Sequence, residues 1–208
     1  MNHFFKRTLS FFLSPLIRVL RPPVLQIERL RAYLVLAATI STPLDPSVVV
    51  LSPPEILGTG RVRLGRNLRL YTDIYFETQD LGTIEIGDDV VISRGAQIVA
   101  HAGVQIGAGS MIGEYTSIRD GNHRRDGNGA IRETGHESTP ISIGKQVWIG
   151  RGVMILPGVH IGDGATVGAN AVVTHDVPPG VCVVGVPARI VSKREVCKAD
   201  LALRSARN

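Results

Sequence analysis

Six histidines are the side chains of this 208-residue chain best suited to moving a proton near neutral pH. His123 stands out by its place. It closes the run Ile118-Arg119-Asp120-Gly121-Asn122-His123 and lies near the start of RDGNHRRDGNGAIRETGHESTP, which is glycine-rich, charged and without periodicity. A neutral imidazole there could take the proton from an attacking hydroxyl, a contribution worth roughly 10²–10⁴-fold. Asn122 and Asp120 could orient the ring or bind an acceptor. An aspartate beside a glycine equally often caps its own backbone in a turn, and a lone histidine is often structural. His101 and His136 could line the same place. His160 and His175 fall on outward positions, and His3 lies near the N-terminus. Zinc is a weak fit, because His123 has no histidine five residues away at 118 or 128.

The elements that must position these groups show in a period of six. From Ile143 the aliphatic residues Ile143, Ile149, Ile155, Ile161, Val167 and Val173 recur. Each has a small or aliphatic companion four residues on, from Val147 to Val177. Such a period fits neither an α-helix nor a simple strand; it fits a three-sided solenoid built from hexapeptides. The phase begins faintly at Ile56 and runs through Val62, Leu68 and Ile74. It breaks at Asp80, resumes at Ile86, slips by two residues near Ala102–Val104, and vanishes between Arg119 and Pro140. Six or seven coils are expected. An aperiodic stretch of this length inside a compact domain is commonly functional.

The ends differ from the middle. Residues 1–40 hold six Lys or Arg against one acid, and residues 189–208 hold six against two, within a chain of net charge +5. Basic ends around an acidic middle do not form a nucleic-acid stripe. Residues 1–20 mix cationic and bulky apolar side chains, but Pro15 and Arg18 interrupt them. They suit neither a signal peptide nor a transmembrane span of about 20 apolar residues. An interfacial helix meeting anionic lipid is one reading; docking on a partner subunit is the other. Pro22-Pro23 is expected to end this helix, with a second over 24–39 and a C-terminal helix from about Ser192. Cys182 and Cys197 show no metal or disulfide spacing, which suggests a cytoplasmic protein. The expected division is residues 1–50 as a helical appendage, 51–191 as the solenoid with its loop at 119–140, and 192–208 as a helical tail.

Together, IRDGNH at 118–123, PISIGKQVWIGRGVMILPGVHIGDGATVGANAVVTHDVPPG at 140–180 and VVGVPARIV at 183–191 resemble the hexapeptide-repeat acyltransferases. The likeness is strongest to sugar and polysaccharide O-acetyltransferases of the maltose, galactoside and lipopolysaccharide types. It covers about residues 56–191. It implies a left-handed parallel β-helix, an exception to right-handed crossover, assembled as a homotrimer with sites between neighbouring chains. It also implies that His123 is the general base, that acetyl-CoA is the donor, and that no metal takes part. Trp148 and Arg151 would lie by the thioester and pantetheine, Ala169 would approach the arm, and Thr174 and His175 would lie beside its distal part. Arg189, with Lys193 as helper, would meet the nucleotide phosphates. In maltose-type members a lysine follows the threonine, where this chain has His175, so Arg194 could supply the 3′-phosphate contact instead.

The expected function is acetyl transfer to a saccharide hydroxyl in an exopolysaccharide, lipopolysaccharide or glycolipid precursor, possible at the inner face of a membrane. Alternatives are a xenobiotic or amino-sugar acetyltransferase of this fold, or a non-catalytic trimeric scaffold for glycan synthesis. A scaffold would not require His123 and its loop.

Overall fold

A computed structural model describes residues 3–125 and 130–193. Of residues 3–12, 14–21, 132, 192 and 193 only the backbone is described. The chain forms a helix, His3–Thr39, followed by a parallel β-solenoid of about 6 turns, consistent with a left-handed β-helix.

Three sheets of short strands make the faces of the prism. The first face stacks Val49–Val50, Arg69–Leu70, Val91–Ile92, Met111–Ile112, Trp148–Ile149, Thr166–Val167 and Val181–Val184. The second stacks Glu55–Gly58, Tyr75–Thr78, Gln97–Ala100, Ser117–Arg119, Met154–Ile155 and Val172–Val173. The third stacks Val62–Leu64, Ile84–Ile86, Val104–Ile106, Ile141–Ile143 and His160–Ile161. The hexad residues from Val62 to Val173 point inward and are buried, as are Val147, Val153, Val159, Ala165, Ala171 and Val177. β-branched side chains suit this pleated, filled interior. Parallel ladders join each turn to the next.

One edge breaks the regularity. Outward partners on the second and third faces are Glu55 and Arg63, Tyr75 and Glu85, Gln97 and Gln105, then Ser117 and Ser142. These pairs are 8, 10, 8 and 25 residues apart, against 6 for Met154 and His160. The break at Asp80, the slip at 102–104 and the long insertion are thus stacked on a single edge of the prism.

The insertion contains a hairpin. Gly121–His123 pairs antiparallel with His136–Ser138, and Ile131–Glu133 forms a single 3₁₀ turn. The expected loop therefore carries its own backbone ladder at its root.

Two expectations at the ends are corrected. The N-terminal helix runs unbroken through Pro22 and Pro23, although an interior proline costs about 3 kcal/mol. Both prolines are exposed, so water can reach the carbonyls that lose their donors. The last two turns of this helix cap the prism: Ala32 and Leu36 are buried, and the Tyr33 hydroxyl donates to Leu44 O at 2.8 Å. At the other end Arg189–Lys193 is a strand antiparallel to Val181–Val184, where a helix was expected from Ser192. Ile190 and Val191 favour that pairing, which closes the last turn. Residues 194–208, with Arg194 and the remainder of the expected tail helix, lie outside the described residues.

Gly58 tests the tightness of the stacking. Its φ is +84°, and an added Cβ would sit 1.9 Å from Thr78 O. Neither the left-handed backbone nor the backbone contact tolerates a side chain. Gly58→Ala should destabilise by about 3 kcal/mol, read as a lower chemical-denaturation midpoint. An unchanged midpoint would show that the neighbouring coils can part at little cost.

Candidate active site

Asp120 is where the irregular edge is built. It is fully buried, 0% exposed, at the foot of the hairpin. Its Oδ1 accepts from His101 N at 2.8 Å, and its Oδ2 accepts from Ala102 N at 2.8 Å and Gly103 N at 2.6 Å. One carboxylate thus gathers the three amides of the phase slip. The Asp120 carbonyl also accepts from Thr139 N at 2.8 Å, closing the hairpin's base. With its oxygens spent on backbone donors, Asp120 has the geometry of a clamp, and orienting His123 falls to other groups.

Three histidines are assembled above that clamp. His136 lies opposite His123 in the hairpin register, with ring centroids 4.4 Å apart. On the other side His136 stacks on His101 at 4.2 Å, the planes 28° apart. The His101 side chain is only 5% exposed and its Nδ1 lies 3.9 Å from Asp80 Oδ2. Burial, then charge on His101 and His123, holds the His136 imidazole below its ordinary pKa. His136 therefore stays neutral to lower pH than a free imidazole. Asn122, also exposed, pairs across the hairpin with Glu137. Arg124, Arg125, His136 and Glu137 line an open cavity of about 400 Å³ on the hairpin.

Beside the stack, the second face presents a polar network that the sequence reading missed. The Tyr75 hydroxyl donates to Glu77 Oε2 at 2.6 Å, and Gln79 Nε2 donates to Glu77 Oε1 at 2.8 Å. These bonds hold the Glu77 carboxyl below its usual range, and the carboxylate's acceptance pushes Tyr75 up to about 12. Glu77, Val99 and Arg119 occupy one outward row over three turns. The signal available in sequence was the alternation of Tyr75, Glu77 and Gln79 just before the hexad break.

The expected donor-binding residues fall into two groups. Thr174 and His175 follow the second face on the same edge as the hairpin, with Thr174 Oγ1 and His175 Nδ1 2.8 Å apart. His175, Asp176, Val183 and Arg189 help line a cavity of about 500 Å³ there. Trp148 instead stands on the first face, 51% exposed. Arg151 and Ala169 lie on the edge between first and second faces. The Arg151 guanidinium sits 5.5 Å over the Tyr115 ring, and Arg151 O accepts from Asn170 N at 2.8 Å. Within a single chain, Trp148 and Arg151 thus occupy a different part of the prism from His123. Lys193 has its backbone in the final strand; its side chain lies outside the described residues. His160 is exposed and hydrogen-bonds through Nδ1 with Ser142 Oγ. Among the described residues, no cluster of three His, Cys, Asp or Glu is arranged to hold a metal ion.

A parallel prism of stacked hexapeptides with a histidine-bearing hairpin on one edge defines a hexapeptide-repeat protein. The bacterial transferase hexapeptide (six repeats) family matches residues 140–175. Galactoside O-acetyltransferase of Escherichia coli (strain K12) is 34% identical over 151 residues, covering 72% of this chain and 62% of the relative. The putative lipopolysaccharide biosynthesis O-acetyl transferase WbbJ of the same organism is 29% identical, covering 70% and 78%. The chain spans 54% of the probable acetyltransferase Rv3034c of Mycobacterium tuberculosis, at 28% identity and 70% coverage of this chain. Among solved structures, the N-acyltransferase AntD from Bacillus cereus, with dTDP-4-amino-4,6-dideoxyglucose and coenzyme A, superposes with a TM-score of 0.64. That match is 21% identical and covers 77% of this chain and 88% of the other. In its repeat and in its relatives the chain is similar to the hexapeptide-repeat transferases.

Proposed function

We propose that this protein is a CoA-dependent O-acetyltransferase acting on a saccharide hydroxyl, with His123 as general base. The observation that carries the reading is the His101–His136–His123 stack, held at the one edge where the prism departs from its repeat. In the proposed reaction a ring nitrogen of His123 accepts the acceptor hydroxyl's proton as its oxygen attacks the thioester carbonyl. The tetrahedral intermediate then collapses, the carbon–sulfur bond breaks, and the proton passes to the leaving thiolate. The products are an acetyl ester and free CoA. Backbone N–H groups would serve the oxyanion, and holding donor beside acceptor contributes through orientation.

His175, Arg189 and the apolar walls near them suit a phosphate-bearing donor with an aliphatic arm. The different location of Trp148 and Arg151 supports a cleft completed by a second copy, as in a trimer. WbbJ and galactoside acetyltransferase support a saccharide hydroxyl as acceptor. The names of AntD and of PerB from Caulobacter crescentus, crystallised with CoA and GDP-perosamine, favour an amino sugar as the second reading. Free thiol released from acetyl-CoA should rise on adding saccharides that carry only hydroxyls. Release that responds only to amino sugars would favour the second reading, and none at all would defeat both.

Peripheral membrane contact through residues 1–20 belongs to the same proposal. No helix among the described residues is long and apolar enough to cross a membrane. The helix nevertheless exposes Val24, Ile27, Leu30 and Leu34 on the side opposite its buried Ala32 and Leu36. Arg31 lies within that exposed stripe, an arrangement suited to an anionic surface. The full chain should sediment with anionic lipid vesicles, and a form lacking residues 1–20, which keeps only the stripe from Val24 to Leu34, should sediment markedly less. Equal sedimentation would remove the membrane role from those residues.

A further inference from the structure

We infer that His136 is the positioning residue for His123, acting as the middle ring of a stack whose fixed end is His101. The inference rests on His123 being the base. It goes beyond that reading by assigning the partner strand of the hairpin a part in the reaction.

His123 is exposed on a hairpin strand, where an imidazole is free to sample several rotamers. A base must point at one hydroxyl. His136 restricts it from one side, because the register sets the two residues directly opposite and their rings lie 4.4 Å apart. His136 in turn needs a backing, and His101 supplies it at 4.2 Å. His101 is the most deeply buried of the three rings. Its side chain is buried, and its backbone N–H donates to the Asp120 clamp. Gly121 leaves room for it, since a Cβ there would lie 2.9 Å from His101 Cδ2. The slip in the hexad phase thus places His101, the insertion places His136, and their contact aims His123.

The charged surroundings of His136 are mixed. His101, His123 and Arg119 oppose a proton on it, while Asp80 favours one. Glu137 and the two arginines Arg124 and Arg125 line the adjoining cavity. Removing the His123 charge should therefore raise the His136 titration midpoint.

Two measurements test the assignment. In the acetyl-transfer assay, His136→Ala should lower kcat about tenfold by misplacing the base, with KM for acetyl-CoA within about twofold. His136→Phe keeps a ring in the stack without a titrating group, and should recover most of the kcat. Separately, proton NMR titration of the histidines without substrate should show the His136 midpoint rising in His123→Gln. Wild-type kcat in His136→Ala, equal losses in the alanine and phenylalanine variants, or an unmoved midpoint would each overturn the inference. If the wild-type protein transfers no acetyl group, the functional reading fails while the titration still reports on the stack. Gly121→Ala guards against a folding artefact in His136→Ala. It alters neither imidazole yet should lower kcat by displacing His101, and a kcat equal to wild type would also count against the stack.

Discussion

Replacing Asp120 with alanine should destabilise the protein by about 4 kcal/mol and abolish acetyl transfer with it. The carboxylate is fully buried and its two oxygens take three backbone N–H groups from consecutive residues. Hydrogen bonds to a charged acceptor contribute about 1.5–3 kcal/mol each, and every donor left buried without a partner costs about 1–3 kcal/mol. The sum is capped because Ala102 and Gly103 are partly exposed and water can enter beside them. Asp120→Asn should lose less, since its amide oxygen can keep one or two of the donors. The denaturation midpoint decides between two roles. A residue serving only chemistry would lower kcat and leave the midpoint alone; a clamp lowers the midpoint and disables the stack above it.

The second large effect is on the reaction. His123→Ala should lower kcat by roughly 10²–10⁴-fold, the contribution of a positioned general base. KM for acetyl-CoA should change little, because His123 is not among the residues proposed to hold the donor, and the denaturation midpoint should stay near that of the wild type. His123 is exposed and its ring touches only His136 among the ring contacts of the described residues, so few favourable contacts are lost on truncation. A variant with wild-type kcat on a confirmed acceptor would remove His123 from the chemistry and shift attention to the Tyr75–Glu77–Gln79 network.

These two residues show what the sequence made visible. The inward hexads were legible because each must be aliphatic, and a fault at Ile112 or Ile155 would leave a hole along the axis. The place of His123 was legible because the repeat stops there. Asp120 stood next to it, but its partners at 101–103 are nearly twenty residues back, and nothing local marks a carboxylate as a clamp. The stack was illegible for the same reason: residues 101, 123 and 136 meet only when a slip and an insertion share one edge. The hairpin escaped because its strands are three residues long, polar and exposed, so no alternation records them. At the ends, local rules competed with packing. Pro22-Pro23 signalled a break that the helix does not make, and the strand that closes the last turn runs on through Ser192 and Lys193, past the expected start of the tail helix. In the middle, the break at Asp80, the slip at 102–104 and the insertion share one edge, which the linear order of the chain does not record.

The measurement that bears most directly on the central claim is the chemical form of the product. After incubation of the wild-type protein with acetyl-CoA and a saccharide carrying both free hydroxyls and one free amine, the acetylated product is analysed by mass spectrometry before and after mild alkali. The account predicts a single acetyl group lost on alkaline treatment, the mark of an ester. An alkali-stable acetyl group on the amine, or a saccharide left unmodified, would contradict it.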